Sequence, residues 1–159
     1  MEKSSFLSPV YGGSTANVTF EFLTGLSASS TLNDVIFRKY GPYFKENIDT
    51  PVRRLADAGY ETIFLHNWWQ TFFNRIFVVP KLGFTRQTFL DDIDPKQNPL
   101  EWPKSDKDLL DTAIAQLSAT SAPTLMYILT VSTHGGYGTA QASPKLDYLN
   151  RVLDTAEEI

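Results

Sequence analysis

The sequence predicts an α/β fold, a mostly parallel sheet with helices on both faces, and three observations predict it. Helical and strand-like segments alternate, in the order helix, strand, helix, long loop, helix, strand, helix. Two apolar runs, 60–65 and 124–131, have strand length, and each follows a helical segment, closed by Gly59 in one case and followed by Pro123 in the other. Each run leads into a polar turn that carries a histidine, at the edge where open α/β sheets bind ligands.

Taken in order, Gly12-Gly13-Ser14 is a turn feeding a helix that begins at Thr15, with Val18, Phe22 and Leu26 at near-helical spacing. Residues 27–47 read as irregular structure with partly buried aromatics (Phe37, Tyr40, Tyr43, Phe44) broken by Gly41-Pro42. Asp49 or Thr50 is the N-cap of a short helix with Pro51 at its first position, Leu55 and Ala56 facing inward, and Gly59 as its stop. Tyr60–Leu65 is a buried strand with His66 at its carboxyl end. Apolar residues at 68, 69, 72, 73, 76 and 77 predict a helix over 68–79, closed by Pro80 and Gly83. Residues 85–104 are polar, acidic and proline-bearing, a long surface loop. Ser105 is the expected N-cap of a helix over 106–119 with Leu110, Ala113, Ile114 and Leu117 on one face. Residues 124–131 form a central strand covered on both faces, and Ser143-Pro144 opens a last helix.

Composition sets limits on function. The 159 residues, 42% of them hydrophobic and none a cysteine, suit one globular unit and exclude disulfides and thiolate catalysis. A net charge of −4 gives no broad basic field, so no nucleic-acid partner is expected. No apolar run reaches the ~20 residues of a membrane span, and the first residues lack the apolar segment of a signal peptide. Any metal would need oxygen or imidazole ligands.

Four groups of residues could carry chemistry. His66 and His134 both follow a strand and are expected on one rim, either as ligands or as loop histidines bonded to backbone. Thr15, at a helix start, is either a cap or a nucleophile in the positive field of the helix N-terminus. Arg75, among Phe72, Phe73, Ile76 and Phe77, is either a planar phosphate clamp or half of a surface salt bridge. The Trp68, Trp69, Phe72, Phe73 cluster either packs in the core or stacks on a sugar or glycerol unit. Asp91, Asp92 and Asp94 lack the glycine and distal glutamate of a calcium loop, and Gly135-Gly136-Tyr137-Gly138 matches no nucleotide fingerprint.

Three segments together, Ser8–Leu26, His66–Phe84 (HNWWQTFFNRIFVVPKLGF) and Thr130–Tyr137 (TVSTHGGY), resemble lipoteichoic acid synthase-like phosphoglycerol transferases, in the sulfatase branch of the alkaline phosphatase superfamily. Trp102 with Ser105-Asp-Lys-Asp-Leu109 adds a fourth match in the same order. The resemblance implies an alkaline-phosphatase/sulfatase-like sheet and a membrane-anchored enzyme whose catalytic domain faces outside the cell. It implies that Thr15 is the nucleophile and a ligand of a divalent metal, Mn2+ in many such enzymes. His66, Phe73, Arg75 and His134 then line the head-group pocket, with Arg75 and the histidines on phosphoryl oxygens. The donor is a lipid head group such as phosphatidylglycerol, and the acceptor is a polyol or glycan.

Two positions depart from the family pattern: Trp68 stands where an acidic residue is common, and Asn74-Arg75-Ile76 replaces Asn-Arg-Asp. The upstream acidic ligand and downstream Asp-His pair of the family's metal site fall outside this sequence. Residues 1–159 are therefore expected to be the middle of a catalytic domain about twice as long, with its flanks and anchor elsewhere. A sulfatase or phosphodiester hydrolase of the same superfamily is the first alternative. An inactive truncated copy without the metal is the second.

Overall fold

A computed structural model describes residues 14–28, 35–46, 48–98 and 106–132. Three strands, β1 (Glu61–His66), β2 (Arg86–Phe89) and β3 (Thr124–Leu129), form one parallel sheet in the order β2-β1-β3. His66 pairs with Phe89 on one side and Leu129 on the other, so all three strands end at one edge. The α/β class and parallel sheet hold, as do helices on both faces.

Side chains alternate across β1 and divide the core in two. Phe64 packs with α1 (Thr15–Thr24), α2 (Ile36–Lys39), Val52 of α3 (Pro51–Asp57) and Val78 of α4 (Arg75–Val78). Its ring stacks on Tyr127 of β3 at 5.6 Å and 8°. On the opposite face Ile63 and Leu65 pack with Leu109 and Ala113 of α6 (Lys107–Ala119) and with partly buried Ile93 of α5 (Leu90–Ile93).

Most boundaries follow local chemistry. Thr50 caps α3, its Oγ1 accepting from Arg53 N at 3.0 Å and donating to Leu82 O at 2.6 Å. Pro51 starts that helix, and Gly59 leaves it at φ +90°. The residue buried from α3 is Val52, while Leu55 and Ala56 are only half-buried.

Five expectations are corrected. The 68–79 segment is not one helix: a 3-10 turn, Phe72–Asn74, precedes the four-residue α4, and Phe73 and Asn74 adopt φ +57° and +56°. Backbone anchors override the helical stripe here, since Leu90 N donates to Trp68 O at 3.2 Å and Gln70 N to Asp91 Oδ2 at 3.0 Å. The 85–104 loop is broken by β2 and α5, because Thr88, Phe89 and Leu90 are buried despite their polar neighbours. Residues 27–47 contain α2 and a 3-10 turn, Gly41–Tyr43. β3 is an edge strand among the described residues, and β1 is the central one. The buried face of α6 is Leu109 and Ala113, whereas Ile114 and Leu117 are exposed. The Ser105 cap and the helix after Ser143 lie outside the described residues.

Candidate active site

The strand ends, the N-terminus of α1 and the turn after β1 enclose a cavity of about 270 Å³. Thr15, His66, Phe73 and Arg75 all line it, together with Trp68 and Phe72. Its remaining wall is Ser14, Leu129 at the end of β3, and Thr130 and Val131 just after it. His134 lies outside the described residues.

Thr15 is not the helix cap. Ser14 takes that position, its Oγ accepting from Asn17 N at 3.4 Å. The Thr15 side chain is exposed at the first helical position, beside N–H groups that lack intrahelical acceptors and at the positive end of the dipole.

His66 is bonded to backbone, as one of its two readings has it, and it also lines the cavity. Its Nδ1 lies 2.8 Å from Leu129 O. A carbonyl only accepts, so Nδ1 carries the proton and Nε2 keeps a lone pair. Burial, then the positive charge of Arg75, pushes its pKa down to about 3. The ring is neutral at physiological pH and offers an acceptor, which suits a ligand hydroxyl better than a phosphoryl oxygen.

Arg75 is no surface ion pair, being only 2% exposed. Its guanidinium donates to Phe72 O at 3.2 Å and lies 5.1 Å from the Phe73 ring centre and 5.7 Å from that of Phe72. Burial lowers its pKa to about 10, which leaves it charged at neutral pH. Among the described residues no carboxylate pairs with it. A buried cation with only a carbonyl and two ring faces is under-compensated, and an anion from outside would supply the missing charge.

Trp68 and Phe72 meet edge to face at 5.9 Å on the same cavity wall, so this part of the aromatic cluster is not core. Trp69 lies in a neighbouring groove with Arg38 and Asn74. Sequence reasoning missed Asp106, which is fully buried. Its carboxylate accepts from Val131 N and Ser132 N, both at 3.0 Å, and from Asn67 Nδ2 at 3.5 Å. The one sequence signal was its place in the Ser105-Asp-Lys-Asp-Leu109 match.

The donor set tests the implied metal. Thr15 offers one oxygen, no carboxylate lines the cavity, and no group of three His, Asp or Glu side chains gathers among the described residues. These residues do not make a metal site by themselves. No described helix is long and apolar enough to cross a membrane.

The strand-edge cavity of this α/β protein thus brings together a hydroxyl at a helix N-terminus and a buried guanidinium, groups whose chemistry suits an oxyanion. The sequence matches the sulfatase family over residues 2–156, and the chain belongs to that family. It is 30% identical over 143 residues to a "Putative cyclic beta-1,2-glucan modification protein" of Rhizobium meliloti (strain 1021), covering 86% of this chain and 21% of that protein. The fold is similar to that of the lipoteichoic acid synthase LtaP from Listeria monocytogenes, with a TM-score of 0.63 and 21% identity over 76% of this chain and 29% of that one. The phosphoglycerol transferase GacH of Streptococcus pyogenes, solved with sn-glycerol-1-phosphate, gives a TM-score of 0.57 and 27% identity over 80% of this chain and 34% of its own. The resemblance seen in the sequence therefore holds. The chain spans about a fifth of the length of the curated relative and about a third of the solved ones.

Proposed function

We propose that the chain is part of a sulfatase-type catalytic domain that moves a phosphoglycerol-type group from a membrane lipid, such as phosphatidylglycerol, to a polyol or glycan acceptor. The observation that carries this reading is Arg75, a buried guanidinium with no carboxylate partner among the described residues, on the same cavity as an exposed Thr15 hydroxyl. The similarity to GacH and to the glucan modification protein supports the donor group and the acceptor class respectively.

In this reading the phosphodiester lies against Arg75 and the N–H groups of α1, which favour its negative charge. Thr15 Oγ1 gives up its proton and attacks phosphorus, the bond to the diacylglycerol oxygen breaks, and that oxygen leaves as the alcohol, with one proton taken up for the one the threonine released. The phosphoglycerol group stays on Thr15 until an acceptor hydroxyl attacks, gives up its proton, and restores the threonine. With a pKa of about 3, His66 is too weak a base for either proton transfer. Its Nε2 instead accepts from a head-group hydroxyl, and Phe73 and Trp68 cover the carbon skeleton. His134, outside the described residues, joins this head-group pocket on the sequence resemblance alone.

A divalent cation such as Mn2+ would be held by Thr15 together with ligands from beyond the described residues, and would lower the pKa of the hydroxyl. The same reading places the domain outside the cell, held to the membrane by an anchor beyond these residues. The test is release of diacylglycerol from fluorescent phosphatidylglycerol by the full-length protein. Thr15→Ala is expected to reduce release to background while the circular dichroism spectrum is kept. Retained turnover would refute the nucleophile. Cleavage of an aryl sulfate in preference to the lipid would move the assignment to a hydrolase.

A further inference from the structure

Asp106 precedes α6 at the N-cap position, where an aspartate ordinarily accepts from the helix's own first N–H groups. It makes no such bond. Its two oxygens are used elsewhere: Oδ1 takes the N–H of Val131 and Oδ2 that of Ser132, each at 3.0 Å, and Oδ1 also takes Asn67 Nδ2. Asn67 follows His66, and Val131 lines the cavity. One buried carboxylate thus joins the chain leaving β3 to the chain leaving β1.

We propose that Asp106 is a positioning residue that fixes the β3 side of the cavity, Thr130 and Val131, against the β1 side that carries His66. The inference rests on reading this cavity as the phosphodiester site. Three features support it. Asp106 itself lies off the cavity wall, so its effect on a ligand must pass through the backbone it holds. Consecutive N–H groups on one carboxylate set the direction of the strand exit, and hydrogen bonds to a charged acceptor are stronger than neutral ones. The helix has also given up its side-chain cap at this position, a local cost that the long-range bonds offset.

The test is calorimetric titration of the full-length protein with sn-glycerol 1-phosphate, alongside urea unfolding of the ligand-free protein. Asp106→Asn keeps the shape but loses one acceptor, and is expected to raise Kd by about tenfold to a hundredfold. Leu109→Ala, which loosens the same helix in the core away from the cavity, is expected to lower stability yet leave Kd within about twofold. Amide exchange in the unaltered protein reads the clamp without any substitution: the Val131 and Ser132 amides are expected to exchange as slowly as those of Ile63 and Leu65.

An unchanged Kd in folded Asp106→Asn, or an equal shift in both variants, would assign Asp106 to stability alone. Exchange of Val131 and Ser132 as fast as exposed loop amides would overturn the clamp even if Asp106→Asn fails to fold. Should the unaltered protein not bind sn-glycerol 1-phosphate, the functional reading falls, and amide exchange still decides whether the clamp exists.

Discussion

Residues 50–66 and residues 67–75 are neighbours in sequence and opposites in construction. In the first, the boundary signals agree with the structure: Thr50 caps, Pro51 starts, Gly59 stops, and β1 runs buried to His66. In the second, a helical stripe folds as turns, two consecutive non-glycine residues take positive φ, and Arg75 is buried with no counter-ion among the described residues. The turn is held from outside, by Asp91 on Gln70 N and by Asn74 Nδ2 on Arg38 O at 3.3 Å. Local consistency marks the scaffold, and its failure marks the site.

The scaffold side breaks most easily at Gly83, where the chain turns under α3. Its φ is +103°, and a Cβ there would sit 2.5 Å from Arg53 N and 2.6 Å from Arg53 Cα. Gly83→Ala is expected to cost about 3 kcal/mol or more in urea unfolding, because backbone on both sides must move. A midpoint equal to that of the unaltered protein would show that this contact is not rigid.

A smaller effect separates the regions by pH. His66 has a folded pKa near 3, below its unfolded value of 6.5. Between these values the unfolded chain binds a proton that the folded chain does not, so stability falls as pH drops through that window, by at most ~1.4 kcal/mol per unit. Urea unfolding from pH 7 to pH 4.5 should show this slope in the unaltered protein and a shallower one in His66→Gln. Equal slopes would contradict the neutral, backbone-bonded histidine.

The same contrast explains what the sequence made legible. α3 and β1 were readable because cap residues, a glycine stop and an apolar run act over a few positions, and α6 was readable from its helical spacing although Ile114 and Leu117 are exposed. Strand order placed His66 at the binding edge, and Thr15 and Arg75 were joined to it only through the family resemblance. β2 was not readable, since Arg86 is exposed, Gln87 half-buried, and burial begins only at Thr88. Nor was the turn at 67–75, whose shape depends on Asp91, far along the chain. Asp106 looked like an ordinary helix-start acid, because its partners are the backbone of residues 131 and 132.

The central claim is that Arg75 is buried for a ligand and not for the fold. Substituting Arg75→Met in the full-length protein, with binding of sn-glycerol 1-phosphate and urea unfolding measured on the same preparation, tests it most directly. An under-compensated buried cation costs stability, so the methionine variant is expected to be as stable as the unaltered protein or more so. Binding is expected to weaken by about 2–5 kcal/mol. Loss of folding with binding per folded molecule unchanged would contradict the account, and would make Arg75 a structural residue.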